Sequence, residues 1–315
     1  MTDADRDESL REAVDRSGSG APAGGHVLRD RFSSNEIFQR IVVAADEEVT
    51  ARPRKLIAGG LAAGFAITVT FLLYASLTAS TGGDPILSGL LYPLGFVFII
   101  LGDYELYTEN TLPPVTLLLE RIASLPTLAR IWGLVLLGNA IGGGLGAVAL
   151  ARTGVLSPAS ALAAERVAQE AIRTPWWTLF TKAMVAGLIV AGVVWIDYSL
   201  RDGIARLAIV YLAFLAIPYG NLYHVVVSWT EMLYLATAGD LSVVVGIREF
   251  VLPVLLGNSV GGVVLVTVVN YFQTTERRLA TARAGDIRPL SAREWFLGGL
   301  VGEDRSYVPR AGERE

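Results

Sequence analysis

Residues Leu56 to Ala79 are 24 consecutive positions without a charge. A helix needs about 20 residues to cross the hydrocarbon core of a bilayer, so this run is long enough to span one. Burying it in a soluble domain is hard to justify, and further apolar runs of similar length follow it. Charged residues make up only 18% of the 315 and gather in residues 1–55, in short connecting stretches and after Glu276. An integral membrane protein is therefore expected. The chain has no cysteine, which excludes disulfides and thiolate metal sites. Its first 30 residues are acidic and polar, with no apolar centre, and do not resemble a secretory signal. The net charge of −4 is dominated by the termini and says little about partners.

In chain order, residues 1–32 are rich in Asp, Arg, Ser and Gly and read as a disordered tail. Ser33 and Glu36 have capping-box spacing and open an amphipathic helix over 33–53, at the membrane surface or against a neighbouring subunit. Ile37, Ile41, Val42, Ala45 and Val49 form its apolar face, with Asp46, Glu47 and Glu48 opposite; Pro53 ends it. The body, 54–275, divides into six spans, near 56–79, 85–119, 131–151, 176–196, 207–237 and 250–273, with a surface helix at 158–172. Residues 276–315 form a charged, cytoplasmic tail in which Trp295-Phe-Leu297 touches the membrane or the body. Arg52, Arg54, Lys55, Arg121, Arg130, Arg201, Arg206, Arg277 and Arg278 fall on one side of the spans. Arg152, Arg166, Arg173 and Arg248 fall on the other. The richer side is cytoplasmic by the positive-inside rule, which places both termini there; the expected location is the cell (inner) membrane, crossed several times.

Two spans are interrupted. In the second, Gly102-Asp-Tyr-Glu-Leu-Tyr-Thr-Glu-Asn110 separates two apolar pieces. In the fifth, Pro218, Gly220-Asn221 and His224 stand inside an apolar stretch. Bare backbone is tolerated at membrane depth only inside protein or beside a water-filled cavity, so a discontinuous helix marks a solute pathway. The bland reading of residues 102–110 is a surface loop between short helices. Val135-Leu-Leu-Gly-Asn139 recurs as Val254-Leu-Leu-Gly-Asn258, an offset of 119 that also carries Glu105 onto His224. Three spans per half, an odd number, put the halves in opposite orientations. The expected fold class is thus an all-α membrane protein with an inverted 3+3 repeat, broken at helices 2 and 5.

These motifs resemble the formate/nitrite transporter family. Glu105-Leu-Tyr-Thr108-Glu-Asn110 is similar to the family's acidic-Leu-Phe-Thr motif, and Leu255-Leu-Gly-Asn258-Ser-Val-Gly-Gly262 to its sixth-span Gly-Asn-x-x-Gly-Gly. His224 falls at its central histidine. The resemblance covers about residues 33–273; the Gly-Asn pattern alone is weak, and the motifs together, in order and at family spacing, are strong. It implies an aquaporin-like, six-span fold with one pore in each protomer of a homo-pentamer, passing small monovalent weak-acid anions such as formate or nitrite. It also implies a set of pore residues: Thr108 approaching His224, Asn258 as a nearby polar contact, Leu106 as a constriction, and Tyr92 and Phe96 narrowing the path. Ile217 stands where the family has a second aromatic, which implies a looser constriction. Lys182 lies near a basic position at the outer mouth. The chain departs from the family at Tyr223, where Glu is usual, at Ser228 or Trp229 for an Asn, and at Gly187 for a fourth-span Asn. Asp103, Glu109 and Glu231 add acidic groups.

The expected chemistry is solvation. A bare anion in a narrow apolar pore carries a large desolvation penalty. A proton from or through His224 would neutralise it, and imidazole suits the task because its reference pKa of about 6.5 is easily moved across neutrality. Lys182 would concentrate anions at a mouth or, equally, snorkel to the interface. Glu105 would orient loop hydroxyls or cap the helix restart at Thr111. Asn139 and Asn258 fit a structural role, bonding broken backbone. Asp103, Glu109 and Glu231 fit caps or interprotomer contacts. The rival functions are a channel for a neutral solute such as water, glycerol or ammonia, and a non-transporting membrane scaffold. No nucleophile–base pair or metal-ligand cluster is visible, so neither enzyme activity, cofactor, metal nor nucleic-acid partner is expected.

Overall fold

The computed structural model describes Phe32, residues 34–273 and residues 289–305. The tail at 1–31, the cap at Ser33, and Arg277 and Arg278 lie outside the described residues. Among those described, the regular secondary structure is helical, with one isolated bridge between Ala123 and Arg305.

Helix α1 (Ser34–Thr50) buries Ile37, Phe38, Ile41, Val42, Ala45 and Val49, the stripe expected from its spacing. The opposite face is not simply solvated. Asp46 is 5% exposed and pairs with Arg305 at 2.9 Å, a contact between the two ends of the described chain that no local pattern could disclose. Pro53 opens the next helix rather than closing α1, in the first-turn position where its missing N–H costs nothing.

Four helices are long and apolar enough to cross a membrane: α2 (Pro53–Ser80), α5 (Leu125–Arg152), α7 (Trp176–Asp197) and α10 (Val243–Gln273). Helix α6 (Pro158–Ile172) lies between the middle two and starts on the Ser157 cap. Helix α10 contains two π-helical stretches, Ile247–Val251 and Gly261–Val268. Small residues allow these helices to meet backbone to backbone. A Cβ on Gly64 would strike the Asn139 carbonyl, and one on Gly187 would strike the Asn258 carbonyl. The departure at Gly187 is therefore a close-packing position.

Between the long helices lie four pieces that are each shorter: α3 (Leu94–Leu101), α4 (Pro113–Leu119), α8 (Gly203–Tyr219) and α9 (Val225–Ala238). They form the two interruptions. The first leaves α3 at Gly102, passes Asp103 in the left-handed region (φ 55°) and makes a 3₁₀ turn over Glu109–Thr111. It restarts at Pro113 rather than at Thr111. The second does not break at Pro218, which sits in the last turn of α8. The chain turns at Gly220 and at Asn221, whose φ is 48°.

One asparagine locks each interruption. Asn139 Oδ1 accepts from the Tyr107 N–H at 3.0 Å, and its Nδ2 donates to the carbonyls of Gly60 at 2.9 Å and Glu105 at 2.8 Å. Asn258 Oδ1 accepts from the Val225 N–H at 2.8 Å, and its Nδ2 donates to the carbonyls of Ala183 at 2.7 Å and Tyr223 at 3.0 Å. The same hydrogen-bonding pattern therefore occurs twice, but it pairs Glu105 with Tyr223 and Leu106 with His224. The match of Glu105 to His224 is one residue out of register.

After α10, residues 289–305 form a strap carrying the short helix α11 (Ala292–Leu297), whose capping box is Ser291–Glu294. Leu290 N–H donates to the Arg121 carbonyl at 2.8 Å and Trp295 Nε1 to that of Leu118 at 2.8 Å. Ser124 N–H donates to the Asp304 carbonyl at 3.0 Å. Trp295 thus meets the body, while Phe296 and Leu297 are exposed.

Candidate functional site

The two interruptions meet at Thr108 and His224. Thr108 stands at the start of the 3₁₀ turn, and His224 is the N-terminal cap residue of α9 with an extended backbone. Each is 1% exposed, and Thr108 Oγ1 lies 2.8 Å from His224 Nε2 in a hydrogen bond. The other ring nitrogen, Nδ1, is buried and has no hydrogen-bond partner among the described residues. Thr111 Oγ1 donates to the Thr108 carbonyl at 2.7 Å and fixes the turn. In a neutral imidazole one ring nitrogen donates and the other accepts, so the bond to Thr108 leaves one nitrogen with hydrogen-bonding capacity unused.

Aromatic rings cover this pair. Phe96 meets the His224 ring edge-on, with centroids 4.9 Å apart, and stacks on Phe214 at 3.9 Å. Tyr92 stacks on Phe96 at 5.7 Å, and Tyr74 meets Tyr92 edge-on at 5.8 Å. Phe214 was missed by the sequence reading, which assigned Ile217 to the second ring position and expected a looser constriction. Both are fully buried, but the ring comes from one helical turn earlier. The available signal was the spacing of three, which puts Phe214 and Ile217 on one face of α8. Tyr74 was also missed; it comes from a different helix, with no motif to mark it.

The remaining expected residues fall into different roles. Leu106 is fully buried between the two residues that Asn139 holds. Asn258 is fully buried, and its amide bonds the backbone of Val225, Ala183 and Tyr223. Glu105 accepts from Asn110 Nδ2 at 3.3 Å; it orients an amide instead of a hydroxyl or the helix restart. Lys182 Nζ lies 5.7 Å from the centre of the Tyr223 ring, and the Tyr223 hydroxyl meets Thr174 at 3.1 Å.

Below the pair, on the face carrying α1, is a cavity of about 110 Å³ lined by Glu47, Glu48, Lys55, Asp103, Glu105 and Glu109, among others. Burial pushes the Glu48 carboxyl well above its ordinary range, and nearby Glu105 and Asp103 push it further, against the opposing pull of Lys55. Among the described residues, no group of three or more His, Cys, Asp or Glu is arranged to hold a metal ion.

The profile of the formate/nitrite transporter family matches residues 35–272. The chain belongs to that family. It is 28% identical to inner membrane protein YfdC of Escherichia coli over 265 residues, covering 81% of this chain and 85% of that one. It is 28% identical to formate channel FocA of Haemophilus influenzae over 163 residues, 49% of this chain and 57% of the other. Among solved structures, a pentameric formate channel with formate bound superimposes with a TM-score of 0.62 at 21% identity. That match covers 70% of this chain and 97% of the channel. A second structure, an FNT family ion channel, gives 0.62 at 20% identity, with 77% and 97% covered. At such identities the likeness is one of fold. Family membership and the long apolar helices make this a membrane protein of a family of channels and transporters.

Proposed function

We propose that the protein conducts small monovalent weak-acid anions, formate or nitrite among them, across the inner membrane, with protonation at His224. In this reading α3 with α4, and α8 with α9, each complete one broken span, giving six in an inverted 3+3 arrangement of the aquaporin kind. The twice-used asparagine lock supports that arrangement, because Asn139 and Asn258 make equivalent bonds at the two interruptions. Five copies would form a homo-pentamer with a path through each; the solved formate channel of similar fold is itself pentameric. Both termini would face the cytoplasm.

The observation that carries the reading is the buried hydrogen bond between Thr108 and His224 where the two interruptions meet. An anion arriving there would replace the Thr108 contact on Nε2 and take a proton through the ring. A neutral acid then passes the Phe96–Phe214 stack and Leu106 at a far smaller desolvation cost than its conjugate base. Lys182 would raise the local anion concentration on one side. Acidic Asp103, Glu105 and Glu109 on the other side favour release of the re-ionised anion by repulsion. Proteoliposomes test this directly. Formate, nitrite or acetate uptake should depend on pH and fall sharply with H224A or H224N. Swelling by glycerol or ammonia without anion flux would replace the proposal with a neutral-solute channel, and no flux of any kind would reject transport.

A further inference from the structure

Helix α9 carries a line of polar groups that runs on from His224. His224 caps the helix, Ser228 lies four residues on and Glu231 seven, so the three project from one face. Seven residues of helix rise about 10.5 Å and return to within about 20° of the starting direction. All three are deeply buried, with His224 and Ser228 each 1% exposed and Glu231 6%. His224 Nδ1 and Ser228 Oγ have no hydrogen-bond partner among the described residues. Glu231, though only 6% exposed, makes no side-chain hydrogen bond or ion pair within the described residues. A buried polar group without a partner is expensive, and three on one helix face need something in the path to satisfy them.

We infer that His224, Ser228 and Glu231 form a proton-relay stripe, with Glu231 taking up the proton on the side opposite the termini and passing it through water at Ser228 to His224. The inference rests on His224 being the group that protonates the solute. Each step conserves the proton. The Glu231 carboxylic acid gives its proton to a water hydrogen-bonded to Ser228, and that water gives one to Nδ1. Nε2 then releases its own proton to the solute anion, leaving a neutral imidazole with its proton on Nδ1, and transfer of that proton to Nε2 through water restores the starting tautomer. The Glu231 carboxylate reloads from the solution on its own side. The net result is one proton carried per anion.

The groups around the stripe fit this direction. Tyr74 of α2, Tyr92 before α3 and Tyr223 before α9 lie within electrostatic reach of Glu231, and Glu170 of α6 within reach of Tyr74 and Tyr223. Lys182 of α7 lies against Tyr223. From the remaining packed elements, Arg152 of α5 is bonded to the Thr237 carbonyl and Arg248 of α10 is paired with Glu249. No cation in this set is paired with Glu231, so its carboxyl is available to exchange a proton.

The test uses the full-length protein in liposomes containing a pH-sensitive dye, with formate as the probe. Formate uptake and internal acidification are read together as external pH is varied. E231Q should reduce both by about tenfold or more at neutral external pH and flatten their pH dependence, whereas E231D should retain most of both. If E231Q is not recovered as a folded oligomer, S228A, which interrupts the stripe at its middle, should give the same loss. Unchanged uptake and pH dependence in these variants, with loss in H224N, would overturn the relay while leaving His224 as the protonating group. Unchanged behaviour in H224N as well, or a wild type that moves no formate, would remove both.

Discussion

Replacing Asn258 by Ala tests the lock on which the site geometry depends. The substitution strands the Val225 N–H and the carbonyls of Ala183 and Tyr223 in a fully buried place. Leaving a buried polar group unsatisfied costs about 1–3 kcal/mol, so three would lose about 3–9 kcal/mol if nothing relaxed. Intramembrane hydrogen bonds measured by double-mutant cycles average only about 0.6 kcal/mol, because the unfolded chain also finds partners, which sets a lower limit near 2 kcal/mol. The expected loss therefore lies between about 2 and 9 kcal/mol, read from unfolding in mixed micelles. N139A removes the equivalent partners at Tyr107, Gly60 and Glu105 and should lose a similar amount. Flux should fall in both: the bonds to Tyr223 and Val225 bracket His224, and those to Glu105 and Tyr107 precede Thr108. N258D should be no better than N258A, since a carboxylate oxygen would face the two carbonyls. A stability change below about 0.5 kcal/mol in N258A with normal flux would refute the lock, because that is the size expected of a substitution away from such features.

Two further outcomes follow from the site. F214A removes the ring stacked on Phe96 and should cost about 3–5 kcal/mol as a buried large-to-small change. It should also widen the path, so that a bulkier anion such as lactate gains flux relative to formate; unchanged relative rates would show that the stack is not on the route. E48Q tests the acidic cavity. Burial raises the native Glu48 pKa above 4.5, so the folded state holds the proton more tightly than the unfolded chain. Stability from this group is present below about pH 4.5 and is lost as pH rises through the native value. E48Q should therefore melt higher than wild type above that window and equally at its acid end; a lower melting temperature at pH 8 would show that the carboxylate is stabilised by its surroundings.

The parts of the fold legible in the sequence were those whose physics is local. Long uncharged runs need lipid, and polar residues inside them need an interruption that protein can shelter. The Gly-Asn repeat was readable because an amide is the side chain that can accept from one backbone group and donate to two others. The one-residue slip between Glu105 and His224 was not readable, since the two turns differ in conformation and only the hydrogen bonds reveal their register. Phe214 escaped because a ring can enter the same space from a neighbouring turn. The partnership of Asp46 with Arg305 joins segments at opposite ends of the described chain, and an amphipathic pattern records only that Asp46 is polar. The acidic residues were visible as charges, but their separation into a cavity near α1 and a stripe on α9 depended on tertiary placement.

The strap at 289–305 has a consequence for biogenesis. Its bonds to Arg121, Leu118 and Ser124 close a hem around residues translated early, yet the strap itself is made only after the final span. The loop after α4 must therefore wait through synthesis of the second half before its carbonyls are satisfied. A chain cut at residue 288 would still insert its hydrophobic segments but would keep that edge unfinished, an opening for proteases in solution to find.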